Sequence, residues 1–249
     1  MKTFGLIGYR LGYSFSKGFF TDKFEKEGLT DYEYVNFELD SISEFPEIFK
    51  KNDHIAGLNC TIPYKQQIMS YLDEIDEEAK QVGAINTVKV IRTGEQVQLK
   101  GFNTDIYGFE NSLMPMLTEK HKKALILGTG GASKAIKHIL NKNGISYLSA
   151  SIEEELADQE IRYEQIDESV LKEHLIIINA TPLGTFPKVD TCPSIPYESI
   201  TAEHVLFDLV YNPEQTLFLK KGHEQGAATK NGLEMLHLQA IKAWEIWNS

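Results

Sequence analysis

Cysteine is almost missing from this chain: Cys60 and Cys192 are the only two in 249 residues. Two cysteines so far apart make no disulfide framework, and without a Cys-x-x-Cys pair they make neither a zinc knuckle nor a dithiol redox centre. The seven histidines include no His-Glu-x-x-His and no close Cys/His spacing, so no metal site is expected. A basic tail or basic helix is also lacking. The 25 Lys and Arg against 36 Asp and Glu leave a formal charge of −11. Nucleic acid and anionic membranes are therefore not expected partners, because both are held largely by clustered cations. Small anionic ligands stay open, since a cleft can be locally positive inside an acidic shell. No stretch approaches the roughly 20 apolar residues of a membrane span. The apolar run at residues 4–7 is too short for a signal peptide and no processing site follows it, so a cytoplasmic location is expected.

What is present is an ordinary globular composition, 42% hydrophobic and 24% charged, long enough for one large core or two modest ones with a cleft between them. Patterning predicts strands over residues 4–7, 34–39, 57–60, 84–90 and 97–101. The last two would form a hairpin across Thr93-Gly94. Helices are predicted over 16–26, 43–51 (Ser43 as N-cap, Pro46 in the first turn), 65–80 as one helix or two short ones, and 105–117. A domain boundary is placed within that last stretch. Beyond it, strands at 123–128, 145–149, 175–179 and 204–209 are nearly continuous in Leu, Ile and Val, as strands of a parallel sheet covered on both faces require. Helices are expected over 133–141, stopped by Asn143-Gly144, over 215–221, and over 232–247 with Leu233, Leu236, Ala240, Ala243 and Trp247 on one side. The two tryptophans, Trp244 and Trp247, are read as core.

The glycine-rich turn Gly128-Thr129-Gly130-Gly131-Ala132-Ser133 follows a strand and opens a helix. That is the setting of the dinucleotide fingerprint Gly-x-Gly-x-x-Gly/Ala, in which small residues let a pyrophosphate approach the helix amino terminus. Ser133 departs from the strict pattern, with Ala132 and Ala135 as further small packing positions. A Walker loop fits worse, because Ser133-Lys134 reverses the required order. At the end of the next strand an acidic residue would bind the ribose hydroxyls of NAD, and an Arg nearby the 2′-phosphate of NADP. This chain has Ser149-Ala150-Ser151 there, neither one nor the other, followed by Glu153-Glu154-Glu155.

In the amino-terminal half three strand ends carry amides and hydroxyls: Asn59 and Thr61 ahead of Lys65, Asn86-Thr87, and Asn103-Thr104-Asp105. Singly each has a plain reading as a cap, a turn residue or a solvated amine. Together, ahead of a nucleotide-binding unit, they mark where an open α/β domain presents a ligand. Hydride transfer between an alcohol carbon and a nicotinamide needs a group that moves the hydroxyl proton and offsets charge on the oxygen. Lys65 is the candidate, with Asp105 to orient it or to share the proton.

These residues resemble the shikimate dehydrogenase family over essentially the whole chain. The shared segments are Ser14-Phe15-Ser16, Asn59-Cys60-Thr61-Ile62-Pro63-Tyr64-Lys65, Gly83-Ala84-Ile85-Asn86-Thr87 and Gly101-Phe102-Asn103-Thr104-Asp105. Gly128-Thr129-Gly130-Gly131-Ala132, Asn179-Ala180-Thr181-Pro182-Leu183-Gly184, Asp208-Leu209-Val210-Tyr211-Asn212-Pro213 and Gly232-Leu233-Glu234-Met235-Leu236 with Gln239 complete the set. The resemblance implies a two-domain α/β protein: a substrate-binding domain with a mixed sheet over 1–105, completed by 232–249, and a Rossmann-like cofactor domain over 106–231. It implies reversible NADPH-dependent reduction of 3-dehydroshikimate to shikimate in aromatic amino acid biosynthesis, by a monomer or homodimer. Lys65 and Asp105 become the catalytic pair. Ser14 and Ser16 would bind the substrate carboxylate. Thr61, Asn86 and Gln239 would surround the ring hydroxyls with that pair, and Tyr211 would line the junction. The cofactor falls to Gly128, Thr129, Gly130, Gly131, Ala132, Ser149, Ser151, Asn179, Thr181 and Leu209.

Two departures from the family pattern stand out. The 149–151 segment lacks the Arg that many members direct at the 2′-phosphate, so NAD is the alternative cofactor. The opening loop lacks the usual Pro near its start, the His before Ser14 (here Tyr13) and the Pro after Ser16, but keeps both serines. Two other readings are weighed against this one. An NAD-preferring quinate/shikimate dehydrogenase would be told apart by paired rates on the two substrates. A non-catalytic metabolite- or dinucleotide-binding protein would bind without turnover.

Overall fold

The computed structural model describes every residue except Tyr13 and Glu95, so the opening-loop departure at Tyr13 lies outside the described residues. The chain divides into two compact units, Met1–Thr104 with Gln239–Ser249, and Asp105–Leu238.

The first unit holds β1 (Lys2–Gly8), α1 (Phe15–Lys26), β2 (Tyr32–Glu38), α2 (Phe45–Lys51), β3 (Ile55–Cys60), β4 (Glu74–Ile75), α3 (Glu77–Val82), β5 (Thr87–Thr93) and β6 (Gln96–Phe102). Its six-stranded sheet runs β2-β1-β3-β5-β6-β4. β2, β1 and β3 are parallel, whereas β5 is antiparallel to both β3 and β6, so the sheet is mixed. Alternation along β1 supplies both faces. Ile7 joins Leu58, Tyr64, Ile68, Ile85 and Val88 on one side, while Phe4 and Leu6 join Phe20, Phe24, Tyr34 and Trp247 on the other. The aromatic side is tightly interlocked: the ring of Phe4 lies 4.9 Å from that of Trp247, and Phe20 stacks on Tyr34 at 4.8 Å. The Trp247 indole N–H donates to the Val88 carbonyl at 3.0 Å. A Cβ at Gly57 would collide with that indole, which is why the strand carries glycine beneath it.

Several elements differ from expectation. Ser41, not Ser43, caps the turn before α2: Ser41 and Glu44 form a capping box, and the Ser43 hydroxyl bonds Ser41 at 2.9 Å. The 65–80 segment is not one helix. It breaks into a 3-10 turn (Gln67–Tyr71), the two-residue β4 and the short α3, because Asp73 bonds Leu99 of β6 through both its backbone N–H and its carboxylate.

The second unit begins in α4 (Thr104–Leu113), which a 3-10 turn over Met114–Met116 extends. It continues through β7 (Lys123–Leu127), α5 (Gly131–Lys142), β8 (Ser146–Ser151), β9 (Glu160–Arg162), α6 (Glu168–Glu173), β10 (Ile176–Asn179), β11 (Val205–Asp208), α7 (Leu217–Glu224) and β12 (Ala228–Lys230). All pairings are parallel and the order is β12-β11-β10-β7-β8-β9. Counted within the unit this is 6-5-4-1-2-3, the Rossmann order, with its switch point between β7 and β10. Strands β9 and β12 and helix α6 were not foreseen. The final helix α8 (Leu233–Asn248) passes from the second unit into the first. Its buried positions include Met235, Ala240, Ala243 and Trp247. Leu233 is exposed, so the predicted apolar side is displaced in its first turn.

Candidate active site

Within the first unit, three strand ends meet in one hydrogen-bonded chain of side chains. Ser16, in the first turn of α1, lies near the Tyr34 phenol and opposes the rise of its pKa. Burial pushes the Tyr34 phenol well above its ordinary range, so it stays protonated and donates to Asn59 Oδ1 at 2.8 Å. Asn59 Nδ2 passes the chain to the Asn86 carbonyl (3.3 Å) and to Thr87 Oγ1 (3.2 Å). Asn86 Oδ1 then accepts from Thr87 Oγ1, from Thr104 Oγ1 and, at 2.7 Å, from the Thr104 backbone N–H. A backbone N–H can only be met by an acceptor, so this last bond fixes which way the Asn86 amide points. Its Nδ2, with two N–H donors, is left without a protein partner among the described residues. Asn103 is tied down separately, through Nδ2 to the Ala84 carbonyl at 2.8 Å.

Lys65 sits on a turn pinned at both ends. Thr61 N–H bonds the Ile7 carbonyl at 2.9 Å, and the Lys65 carbonyl accepts the Ile85 N–H at 2.7 Å. Tyr64 between them is buried, its hydroxyl bonded to the Leu39 carbonyl at 2.7 Å. The half-buried Lys65 ammonium lies close enough to Cys60 to oppose the burial that pushes that thiol up to about 12. Asp105 follows Thr104 in the first turn of α4 and is buried. Ser14 is the N-cap of α1 and accepts the Lys17 N–H at 3.2 Å, a role that leaves its own O–H to donate. Gln239 is half-buried on the same face of α8 as Ala243 and Trp247.

In the second unit, β7 ends in Gly128 at φ +103, a left-handed conformation that glycine alone adopts without strain. A Cβ there would also lie 2.9 Å from Thr181 of the β10 end. Gly130 is the N-cap of the twelve-residue α5 and brings no side chain to it. A Cβ at Gly130 or Gly131 would meet no atom within 4 Å, so no neighbouring group crowds the glycine turn at the switch point. These features fit a dinucleotide pyrophosphate. Ser133, at the third glycine position, is buried and donates to the Gly130 carbonyl at 2.6 Å; Ala132 is exposed and is not the packing position expected.

The remaining predicted cofactor residues separate into two groups. Thr129 Oγ1 approaches Ser151 Oγ at 3.5 Å, so the glycine turn and the β8 end converge. Ser149 is fully buried two residues inside β8, its hydroxyl unpartnered and withdrawn from the surface. The Asn179 amide is occupied internally: it donates to Asp208 (2.9 Å) and the Leu183 carbonyl, and accepts from the Thr181 N–H and hydroxyl. Leu209 N–H bonds the Asn179 carbonyl at 3.0 Å, and Tyr211 is half-buried two residues on. Tyr34 carries a link that the sequence did not assign to the site, and Asn59, marked only as one of the strand-end amides, was given no contact of its own. The only signal for Asn59 was its place beside Thr61, and a tyrosine within a strand reads as core. Among the described residues no group of three or more His, Cys, Asp and Glu is placed to hold a metal, and no helix is long and apolar enough to cross a membrane.

A mixed-sheet α/β unit with amides and hydroxyls at its strand ends, followed by a Rossmann unit with an open glycine turn, defines a two-domain α/β protein of the dinucleotide-binding class. Residues 6–88 match the shikimate dehydrogenase substrate binding domain. The chain is 40% identical to a shikimate dehydrogenase (NADP(+)) of Clostridium beijerinckii, covering 99% of this chain and 92% of that protein. Among solved structures it superimposes on a chorismate mutase/shikimate 5-dehydrogenase fusion protein from Clostridium acetobutylicum with a TM-score of 0.86, at 38% identity over 99% of this chain and 90% of the other. Shikimate 5-dehydrogenase from Listeria monocytogenes, solved with shikimate and NAD, matches with a TM-score of 0.84, at 30% identity over 99% of this chain and 91% of that one. The chain belongs to the shikimate dehydrogenase family.

Proposed function

We propose that the protein is a shikimate dehydrogenase, catalysing the reversible NADPH-dependent reduction of 3-dehydroshikimate to shikimate on the route to chorismate and the aromatic amino acids. The observation that carries this reading is the Asn86 amide. Thr104 locks its oxygen inward, and its two N–H donors remain for a ligand rich in hydroxyls. The substrate-binding domain is assigned to residues 1–105 with 232–249, and the cofactor domain to 106–231. Ser14 and Ser16 hold the carboxylate, while Thr61, Asn86 and Gln239 hold the ring hydroxyls. Tyr211 lines the substrate.

Reduction adds a hydride to the carbonyl carbon and a proton to its oxygen; the nicotinamide supplies the hydride when bound. The Lys65 ammonium gives the proton and offsets the charge that grows on the oxygen, with Asp105 orienting it. Gly128, Thr129, Gly130, Gly131 and Ala132 hold the pyrophosphate, with Ser151, Thr181 and Leu209 completing the cofactor wall and the fully buried Ser149 and Asn179 supporting it from behind. The enzyme works in the cytoplasm as a monomer or homodimer.

The test is NADP-linked oxidation of shikimate followed at 340 nm. The expected result is turnover that falls roughly 10²–10⁴-fold in Lys65→Ala, the range for loss of a proton-transfer group. Binding of shikimate without turnover would instead support a non-catalytic binding protein. A second reading, an NAD-preferring quinate/shikimate dehydrogenase, is favoured by one observation: β8 ends in Ser149-Ala150-Ser151 without a cation of its own. Rates on quinate and shikimate with each nucleotide separate the two.

A further inference from the structure

We propose that Arg162, on the neighbouring strand β9, is the residue that selects the 2′-phosphate of NADP in this chain. The proposal rests on the reading of the second unit as the cofactor domain of a dehydrogenase. In parallel register Ser149 pairs with Glu160 and Ser151 with Arg162. Glu160 and Arg162 are two apart, so their side chains share one face of the sheet. That face is the one α5 covers, because Lys137 of α5 reaches Glu160 at 3.4 Å. Thr129 of the glycine turn touches Ser151 on the same side. A line therefore runs from the uncrowded glycine turn at the start of α5 through Thr129 and Ser151 to Arg162. A dinucleotide whose pyrophosphate sits on that turn places its adenosine ribose at the end of β8, beside Ser151.

The guanidinium is held in place. It donates to the Glu153 carbonyl at 2.6 Å and to the Glu154 carbonyl at 2.5 Å. Arginine has five N–H donors, so two carbonyl bonds leave three for an anion, and the positive charge is not neutralised by neutral acceptors. The loop after β8 turns its backbone carbonyls to Arg162, while the side chains of Glu153, Glu154 and Glu155 are exposed, where solvent and salt screen them. Ser151 accepts the Glu153 N–H at 3.2 Å and lies 3.5 Å from the Thr129 hydroxyl, which ties the loop after β8 to the glycine turn. The cation that the end of β8 lacks is thus supplied one strand over, and it also shapes the loop beside it.

The experiment compares the full-length protein with Arg162→Gln and Arg162→Lys, measuring kcat and KM for NADP and NAD with saturating shikimate. Binding of 2′,5′-ADP is compared with that of 5′-AMP, which lacks the 2′-phosphate. Loss of a charge-assisted contact predicts that Arg162→Gln raises KM for NADP about 10- to 100-fold. The same variant should weaken 2′,5′-ADP equally and leave kcat, NAD and 5′-AMP within about twofold. Arg162→Lys, which keeps the charge but not the double clamp, should fall between. Equal losses for NADP and NAD would show that Arg162 only holds the loop and would overturn the proposal, as would an unchanged ratio. A parent protein inactive on shikimate with either nucleotide would overturn the proposed function instead, and the 2′,5′-ADP and 5′-AMP comparison would still decide the role of Arg162.

Discussion

The side-chain oxygen of Asn86 accepts the backbone N–H of Thr104 at 2.7 Å, across eighteen positions of sequence. The bond does two jobs. It satisfies a donor at the start of α4, as an N-cap would, and it points the Asn86 N–H donors away from the protein. Asn86→Asp keeps an acceptor for Thr104 but removes both outward donors. It should leave thermal stability close to that of the parent while kcat/KM for shikimate falls about 10- to 100-fold, the cost of lost hydrogen bonds to ligand hydroxyls. Asn86→Ala should lower both, with roughly 1 kcal/mol of stability lost with the cap. Thermal melts beside steady-state kinetics check the split. Full kcat/KM in the Asp variant would remove Asn86 from the substrate site.

Tyr34 donates to Asn59 Oδ1 at 2.8 Å, and Asn59 in turn holds the Asn86 carbonyl and Thr87. Tyr34→Phe retains the stack on Phe20 but deletes the hydroxyl, leaving Asn59 Oδ1 without its donor. An unmet buried acceptor costs about 1–3 kcal/mol, so the melting temperature should drop. Asn59 loses the bond that orients it beside Asn86 and Thr87, and KM for shikimate should rise several-fold while kcat changes little. An effect on kcat alone would contradict a positioning role.

Much of the second unit was legible because its signals are local. The run from 124 to 127 is apolar, as a strand buried on both faces must be, and Gly128 after it takes a positive φ where a Cβ would meet Thr181. β9 and β12 were invisible because each is three residues long and carries Glu and Arg or Lys, leaving no periodicity to read. The 65–80 segment has helical spacing in Ile68, Met69 and Leu72, but a bond between Asp73 and Leu99, twenty-six residues away, diverts it. The same limit applies at the site. Residue types at the strand ends could be picked out, whereas the direction of the Asn86 amide depends on Thr104, and the part played by Tyr34 depends on Asn59. The absence of a cation at 149–151 was correctly read along the strand. Arg162 lies eleven positions further on and reaches Ser151 only through sheet register.

Gly57 and Trp247 form a lock between β3 and α8. A methyl at Gly57 overlaps the indole and must displace it, breaking its bond to the Val88 carbonyl. Gly57→Ala should therefore destabilise by about 1–3 kcal/mol, the usual range for overpacking. Trp247→Ala should cost about 3–5 kcal/mol through the cavity it leaves. In the double variant the methyl meets no ring, so the combined loss should be smaller than the sum by at least about 0.5 kcal/mol. Denaturant unfolding of the four proteins gives the coupling, and strict additivity would mean that the two do not meet.

Asp208 supplies a pH dependence whose sign is opposite to that of a salt-bridged carboxylate. Burial raises its pKa from 3.8 to about 6, against hydrogen bonds from Thr216 at 2.6 Å, Val210 at 3.0 Å and Asn179 at 2.9 Å. The folded state then holds its proton more tightly than the unfolded chain. This group's contribution to stability is greatest below about pH 4, declines as pH rises towards 6, and is level above that. The whole change is on the order of 3 kcal/mol. Asparagine at this position mimics the protonated acid. Its oxygen still accepts from Val210 and Asn179, and its amide can donate to Thr216 once that hydroxyl turns. Asp208→Asn should therefore melt close to the parent at pH 4 and progressively above it between pH 5 and 7. Melting curves of both proteins across that range measure the difference directly, and a gap that stays constant with pH would show that Asp208 does not titrate there.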